Sequence, residues 1–151
     1  MEELIKFTNF IVEAKKNTYA SGTKEKRSTR PNSKDYFYRK YDYLYHDSYL
    51  GNNKFIGEEL VWKDEKIFWG MNYRGELLVD EVPNGFSQFL KKSLQKVSEN
   101  NPYRGPEYFS DGEFTYKCSW DGQVDSFNGV ESILHDGKEI YKLCFHGGTI
   151  K

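Results

Sequence analysis

The chain has 151 residues, enough for one ordinary domain with a single core and too few for two independent ones. Acidic and basic side chains nearly cancel, leaving a formal net charge of -1, so no basic excess points to DNA, RNA or an anionic membrane. No apolar run approaches the roughly 20 residues of a spanning helix, and the start Met1-Glu2-Glu3 lacks the basic and apolar stretches of a signal peptide; a cytoplasmic protein is expected.

Leu4, Phe7, Ile11 and Ala14, with Ile5 and Phe10 widening the stripe, predict an amphipathic helix over about residues 3 to 17. A polar stretch over 20–35 follows, carrying Lys24, Lys26, Arg27 and Arg30 before Pro31. Such a loop is either solvated or a grip for an anion. Aromatic alternation then predicts strands near 36–49, 54–62 and 66–74, with Lys63-Asp64-Glu65-Lys66 as the turn between the last two. Pro83-Asn84-Gly85 opens a second helix with Phe86, Phe89, Leu90, Leu94 and Val97 on its apolar stripe, and Asn100-Asn101-Pro102 closes it. Strands follow near 113–120, 125–134 and 138–146, and Asp136-Gly137 is the pair a two-residue type I′ hairpin prefers.

The two halves echo one another. Tyr43, Tyr45, Ser48, Tyr49 and Gly51 recur 71 positions later as Phe114, Tyr116, Ser119, Trp120 and Gly122. With one inserted residue, Phe55, Gly57, Glu59, Val61, Asp64 and Lys66 return as Phe127, Gly129, Glu131, Ile133, Asp136 and Lys138. Trp69, Met71, Tyr73 and Gly75 return as Tyr141, Leu143, Phe145 and Gly147. The expected fold is therefore α+β: a tandem duplicated α-β-β-β unit in a single domain over 1–151, with copies at about 3–80 and 84–151. It is expected to form an antiparallel sheet of about six strands, with two helices on one face and a pseudo-twofold axis.

Side chains alternate along a strand, so the hairpin register decides which residues share a face. Centring the last turn on Asp136-Gly137 pairs Ile133 with Ile140 and Glu131 with Lys142. By the echo, Ile56, Leu60, Trp62, Ile67, Trp69, Met71 and Tyr73 make an apolar face for the helices. The other face is mixed, with Phe55, Gly57, Glu59, Gly70 (opposite Glu59), Asn72 and Arg74 echoed by Phe127, Glu131, Lys142, Cys144 and His146. On this register Leu60→Asp or Leu143→Asp is expected to abolish soluble expression, and Glu59→Gln to leave folding largely intact.

The candidate ligand-binding residues are Glu59, Glu131, Phe55, Phe127, Asn72, Arg74, Lys142 and His146. A half-buried carboxylate among rings has a raised pKa and suits an acid, a base or a partner for a cation. The same pattern also describes an ordinary solvated sheet face. Aromatic residues make up 17% of the chain, with 12 Tyr and 11 Phe, which first suggests cross-strand packing in a sheet and is also compatible with an aromatic-lined pocket. No phosphate loop, dinucleotide glycine signature or nucleophile elbow is present, so catalytic residues are unassigned and no cofactor is expected. His46, His135 and His146 are scattered, without zinc-ligand spacing, and no metal site is expected. Cys118 and Cys144, each in a predicted strand of the second copy, are expected to be reduced, small apolar fillers.

Phe55-Ile56-Gly57-Glu58-Glu59, Trp69-Gly70-Met71-Asn72-Tyr73, Tyr103-Arg104-Gly105-Pro106 and His146-Gly147-Gly148 together resemble an uncharacterised bacterial domain family. Its members stand alone or follow a Cro-type helix-turn-helix domain. The resemblance spans nearly the whole chain and carries no established activity. It implies a module that senses a small molecule or binds a partner. The aromatic α+β repeat is also similar in architecture to gyrase-inhibitor-like effector-binding domains, which take flat cationic compounds around a buried glutamate, although their repeat begins with a strand. The leading expectation is a small-molecule-binding or sensing module for a flat, apolar, neutral or cationic ligand. The alternatives are a protein-partner-binding or homodimeric regulatory domain and a Tyr/Glu hydrolase.

Overall fold

The computed structural model describes every residue from Met1 to Lys151. Helix α1 (Glu2–Lys16) and a short 3-10 turn (Tyr19–Ser21) precede four strands, β1 (Lys34–Lys40), β2 (Tyr43–Gly51), β3 (Lys54–Lys63) and β4 (Lys66–Leu77). Helix α2 (Phe86–Leu94) precedes four more, β5 (Tyr108–Asp111), β6 (Phe114–Gln123), β7 (Ser126–His135) and β8 (Lys138–Thr149). All eight form one antiparallel sheet in the order β1-β2-β3-β4-β8-β7-β6-β5. Each half is a meander running outward from the central β4–β8 pair, so the order reads the same way from either edge.

The α+β class and the two helices agree with the expectation, and six strands become eight. The aromatic stretch 36–49 is a hairpin rather than one strand. β1 turns into β2 at Tyr41-Asp42, with Tyr41 at φ 54. Tyrosine seldom adopts that conformation, so its presence gives no turn signal. The other additional strand, β5, has only four residues and reaches β6 through Gly112 at φ 59. Helix α2 ends at Leu94, earlier than its apolar stripe suggests.

Both helices lie on one face. The stripe of α1 buries Phe7, Phe10, Ile11 and Ala14, and the Phe7 ring meets Trp69 of β4 at 5.9 Å. Acidic Glu2 and Glu3 in its first turn and basic Lys15 and Lys16 in its last suit the helix dipole. Helix α2 stacks Phe89 on Phe114 at 5.0 Å and sets Phe86 against Tyr141 of β8. Trp69, Met71, Tyr73, Tyr141, Leu143 and Phe145 are all buried under the helices, as the apolar pattern of β4 and β8 predicts.

The facing strands β3 and β7 are reversed relative to the expected register. Ile133 pairs with Tyr141 and Glu131 with Leu143, in place of Ile140 and Lys142. Leu60 lies opposite Gly70, and Glu59 opposite Met71. A bulge at Val61/Trp62, repeated at Ile133/Leu134, inserts Phe68 and Ile140 as extra residues on β4 and β8. In a bulge two successive side chains lean toward the same face and the pairing beyond it slips by one. Phe68 and Trp69 therefore both reach the core, as do Ile140 and Tyr141, and Glu59 and Glu131 pass to the helix side.

The expectation for Leu60 changes with the register. Leu143 is 1% exposed, whereas Leu60 sits half-buried on the uncovered face. Leu143→Asp places an unpaired carboxylate in the core and should yield no soluble protein. Leu60→Asp should express and melt within a few degrees of the parent. Soluble yield and thermal melts of the two variants, made side by side, check the assignment of faces.

The β3–β4 turn holds Asp64 and Glu65 at φ 49 and 64, and the β7–β8 turn holds Asp136 and Gly137 at φ 49 and 76. Only the second places glycine where the left-handed backbone favours it. Glu65→Gly should raise stability by about 0.5–1 kcal/mol in urea titration, because relief of left-handed strain exceeds the entropy added to the unfolded chain.

Part of the polar stretch 20–35 folds back on the sheet. Asp35, fully buried, accepts hydrogen bonds from Ser33 Oγ (2.5 Å), Thr29 Oγ1 (2.7 Å) and Thr29 N (3.2 Å), and lies 2.6 Å from His46 Nε2. Arg30 Nη2 donates to Ser48 Oγ at 2.6 Å. Burial opposes the Asp35 charge, but these donors outweigh it and hold the carboxyl well below its usual range.

Candidate functional site

Five ionisable side chains that a water-soluble domain rarely buries meet beneath the helices: Lys15, Asp47, Glu59, Arg104 and Glu131. Each is placed by ordinary local structure. Lys15 lies four residues beyond Ile11, on the edge of the apolar stripe of α1. Asp47 alternates with Tyr43, Tyr45 and Tyr49 on the inner face of β2. Glu59 and Glu131 turn inward because of the paired bulges.

Arg104 is carried by the loop between α2 and β5. That loop is fixed by a hydrogen bond from Asn101 Nδ2 to Gly105 O and by Gly105 N–H donating to the Tyr116 hydroxyl at 2.8 Å. A Cβ at Gly105 would sit 2.6 Å from the Tyr116 ring, so the close approach requires glycine.

The two glutamates have matching surroundings. Tyr45 donates to Glu59 at 2.7 Å, and its counterpart Tyr116 donates to Glu131 at 2.5 Å. The positive partners differ. Lys15 pairs with Glu59 and also donates to Tyr103 O at 2.7 Å. Arg104 grips Glu131 with a fork, Nε to Oε2 and Nη2 to Oε1, both 2.9 Å, and Tyr141 donates to the same carboxylate at 2.7 Å. Burial works against the Glu131 charge, but Arg104 outweighs it and holds the carboxyl below its usual range. Burial pulls the Lys15 ammonium down, and Glu59 only partly restores it.

Asp47 has no such cation. It is 5% exposed, and the Tyr73 hydroxyl donates to its Oδ1 at 2.6 Å. Burial pushes its carboxyl up to about 7, and the nearby Glu59 charge adds to the rise. Tyr73, Lys15 and Arg104 offset this in part.

Asp47, Tyr73, Arg104 and Tyr141 form the inner end of a cleft of about 410 Å³. Its walls include Tyr36, Tyr49, Phe55 and Phe86, and Glu25, Lys34 and Lys91 stand among the polar groups around it. A second chamber of about 30 Å³ shares Asp47, Arg104 and Tyr19 with the cleft and extends to Lys15 and Glu59. The arrangement is an aromatic-walled cleft ending on the Asp47 carboxylate and the Arg104 guanidinium, suited to a flat ligand.

The eight residues expected to share one face are divided between two. Glu59, Glu131, Phe55 and Phe127 lie on the helix side. Phe55 lines the cleft, whereas Phe127 is a core ring stacked between Trp69 (5.7 Å) and Tyr103 (4.2 Å). Asn72, Arg74 and His146 face the other way and line an open concavity with Arg30 and Cys144. Lys142 is bound to Glu76 at 3.2 Å. The cysteines also separate, with Cys118 buried and Cys144 exposed. The bulges are the cause, because they invert β3 and β7 but leave β4 and β8 as expected.

Sequence reasoning did not single out Asp47, Lys15 or Arg104 as functional residues. Signals for them existed: a carboxylate in a run of inward tyrosines, a lysine beside an apolar stripe, and the Tyr103-Arg104-Gly105-Pro106 motif.

The model of a family described as a domain of unknown function, DUF5680, matches residues 47–150. The chain belongs to this family. No curated protein and no solved structure matches it. In this DUF5680 protein the match takes in Asp47, Glu59, Tyr73, Arg104, Glu131 and Tyr141, while α1 with Lys15 and strand β1 lie outside it. No helix is long and apolar enough to cross a membrane.

Proposed function

We propose that this DUF5680 protein is a small-molecule-binding or sensing module, with a flat, apolar, neutral or cationic ligand held in the aromatic cleft. The observation that carries this is the cleft itself. About 410 Å³ is within the usual range for ligand sites, and its rings converge on a few polar groups at the base. Buried charge of this kind adds little to stability, which favours a role in recognition. The same reading takes the two halves as copies of one unit and the protein as cytoplasmic.

The buried tyrosines argue against a tyrosinate base or nucleophile in a Tyr/Glu hydrolase. Tyr45, Tyr73, Tyr116 and Tyr141 each donate to a carboxylate, and burial raises every one of their pKa values, so they remain protonated.

Thermal-shift screening of flat aromatic compounds tests the proposal. A ligand at about 100 times its dissociation constant should add roughly 2.7 kcal/mol. Ser87 is exposed on α2 and lines the cleft, so Ser87→Trp should fill the mouth, abolish the shifts and leave the fold intact. Hits that shift parent and Ser87→Trp equally would place the ligand elsewhere.

Partner binding is the second reading. The uncovered sheet face exposes Ile56 (59%), Val130 (51%) and Phe37 (38%), which favours docking of another protein or a second copy. Light scattering across a hundredfold range of concentration would detect self-association.

A further inference from the structure

The buried cluster is not electrically balanced. Three carboxylates, Asp47, Glu59 and Glu131, face two cations, Lys15 and Arg104. Both cations are committed, Lys15 to Glu59 and Arg104 to Glu131. Asp47 is the unmatched group, and its second oxygen is free. Tyr73 donates to Oδ1, while Oδ2 receives no hydrogen bond from the chain. Nor is Oδ2 sealed in the protein, since Asn101 Oδ1 is the one fully buried side-chain polar atom left without a partner. Asp47 lines both the cleft and the small chamber joined to it, so this oxygen borders the connected space that a ligand would enter.

The echo between the halves makes the same point. The counterpart of Asp47, 71 positions on, is Cys118, a buried thiol beside Glu131 on the neighbouring strand. The Tyr–Glu couples occur in both halves, but the third carboxylate occurs in one. Packing therefore does not demand an acid at this place in the sheet.

We infer that the cleft selects a ligand with one positively charged N–H group, which donates to the free oxygen of Asp47 and supplies the missing cation while the flat body lies against the rings. This rests on the cleft being the ligand site. Charged groups face Asp47 from several elements, and Glu25, Lys34 and Lys91 also line the cleft. From α1, β3 and the α2–β5 loop it meets Lys15, Glu59 and Arg104, and from β7, beyond Arg104, the charge of Glu131. Tyr45, Tyr73 and Tyr141 remain neutral donors. Within the buried five, one positive charge makes three against three. Glu25, Lys34 and Lys91 of the cleft lining bring the wider sum to zero before any ligand enters, so the selection rests on the open oxygen of Asp47 and its lack of a partner cation. Because Asp47 holds a proton more tightly than an exposed aspartate, a cation must displace that proton at low pH, and affinity should fall as pH drops below about 7.

The test compares 2-naphthylmethylamine with its neutral isostere 2-naphthalenemethanol by calorimetry, on the parent, Asp47→Asn and Ser87→Trp. The amine is expected to bind the parent about 10- to 100-fold more tightly than the alcohol, the range a charged hydrogen bond supplies. That advantage should vanish in Asp47→Asn and should shrink about tenfold per pH unit between pH 6.5 and 5, while alcohol binding stays unchanged. Equal affinities of amine and alcohol for the parent, both abolished by Ser87→Trp, would overturn the cation inference and leave the cleft as the binding site. An amine advantage that persists in Asp47→Asn would likewise overturn it. Failure of both probes to bind at millimolar concentration would overturn the inference and the cleft together.

Discussion

Asp47→Asn is expected to make the ligand-free protein more stable at pH 8, by about 4 kcal/mol, in urea unfolding. An aspartate that titrates near 3.8 in the unfolded chain is pushed up to about 7 in the fold, first by burial and then by the Glu59 charge. A folded-state pKa raised above the unfolded value means that the native state binds the extra proton between the two. Its contribution to stability is fully present below pH 3.8 and is lost as pH rises through 7. At pH 8 the protein carries a buried charge without a cation of its own, and the fold bears the cost.

Asparagine resembles the protonated acid in shape and keeps a group that can bond to Tyr73, so the variant removes this loss. The difference in stability between parent and variant should be smallest near pH 4 and grow steadily to pH 7. A variant no more stable than the parent at pH 8 would show that Asp47 is already balanced. Gain of stability with loss of amine binding is the pattern expected of a group retained for recognition.

Breaking the fork between Arg104 and Glu131 should have the opposite effect, at similar size. Arg104→Met leaves Glu131 buried with only Tyr116 and Tyr141 as donors, and Glu131→Leu leaves a buried guanidinium with no carboxylate. Each single change should cost about 3–5 kcal/mol, because the remaining charge loses its partner but not its burial. The double variant should cost far less than the sum, since the desolvation penalties of both ions disappear together. Chemical unfolding of the four proteins gives the coupling directly. Additive losses would mean that water already reaches the pair.

Much of the architecture is legible in the sequence because it rests on short-range periodicity. The stripe of Phe7, Phe10, Ile11 and Ala14 specifies α1 without reference to the rest of the chain. Asp136-Gly137 specifies a tight hairpin, and its echo at Asp64-Glu65 locates the other. The alternation of Trp69, Met71 and Tyr73 assigns the inner face of β4 correctly. The equivalence of Glu59 and Glu131 is also visible in the chain, and in the structure the pair have matching tyrosine partners.

What the sequence alone did not decide is which way those glutamates face. Turn residues govern the two or three pairs nearest the turn, but a bulge three residues away depends on whether the core has room for two adjacent side chains. Phe68 beside Trp69 and Ile140 beside Tyr141 fill that room under helices placed by distant residues, and the slip carries Glu59 and Glu131 inward. Arg104 and Lys15 are distant in sequence from the carboxylates they balance, 27 and 44 residues away, so no local pattern joins them. Asp47 stands in the chain as one acid among tyrosines. Only the tertiary fold, by giving cations to the two glutamates and none to Asp47, makes it the unpaired charge at the end of the cleft.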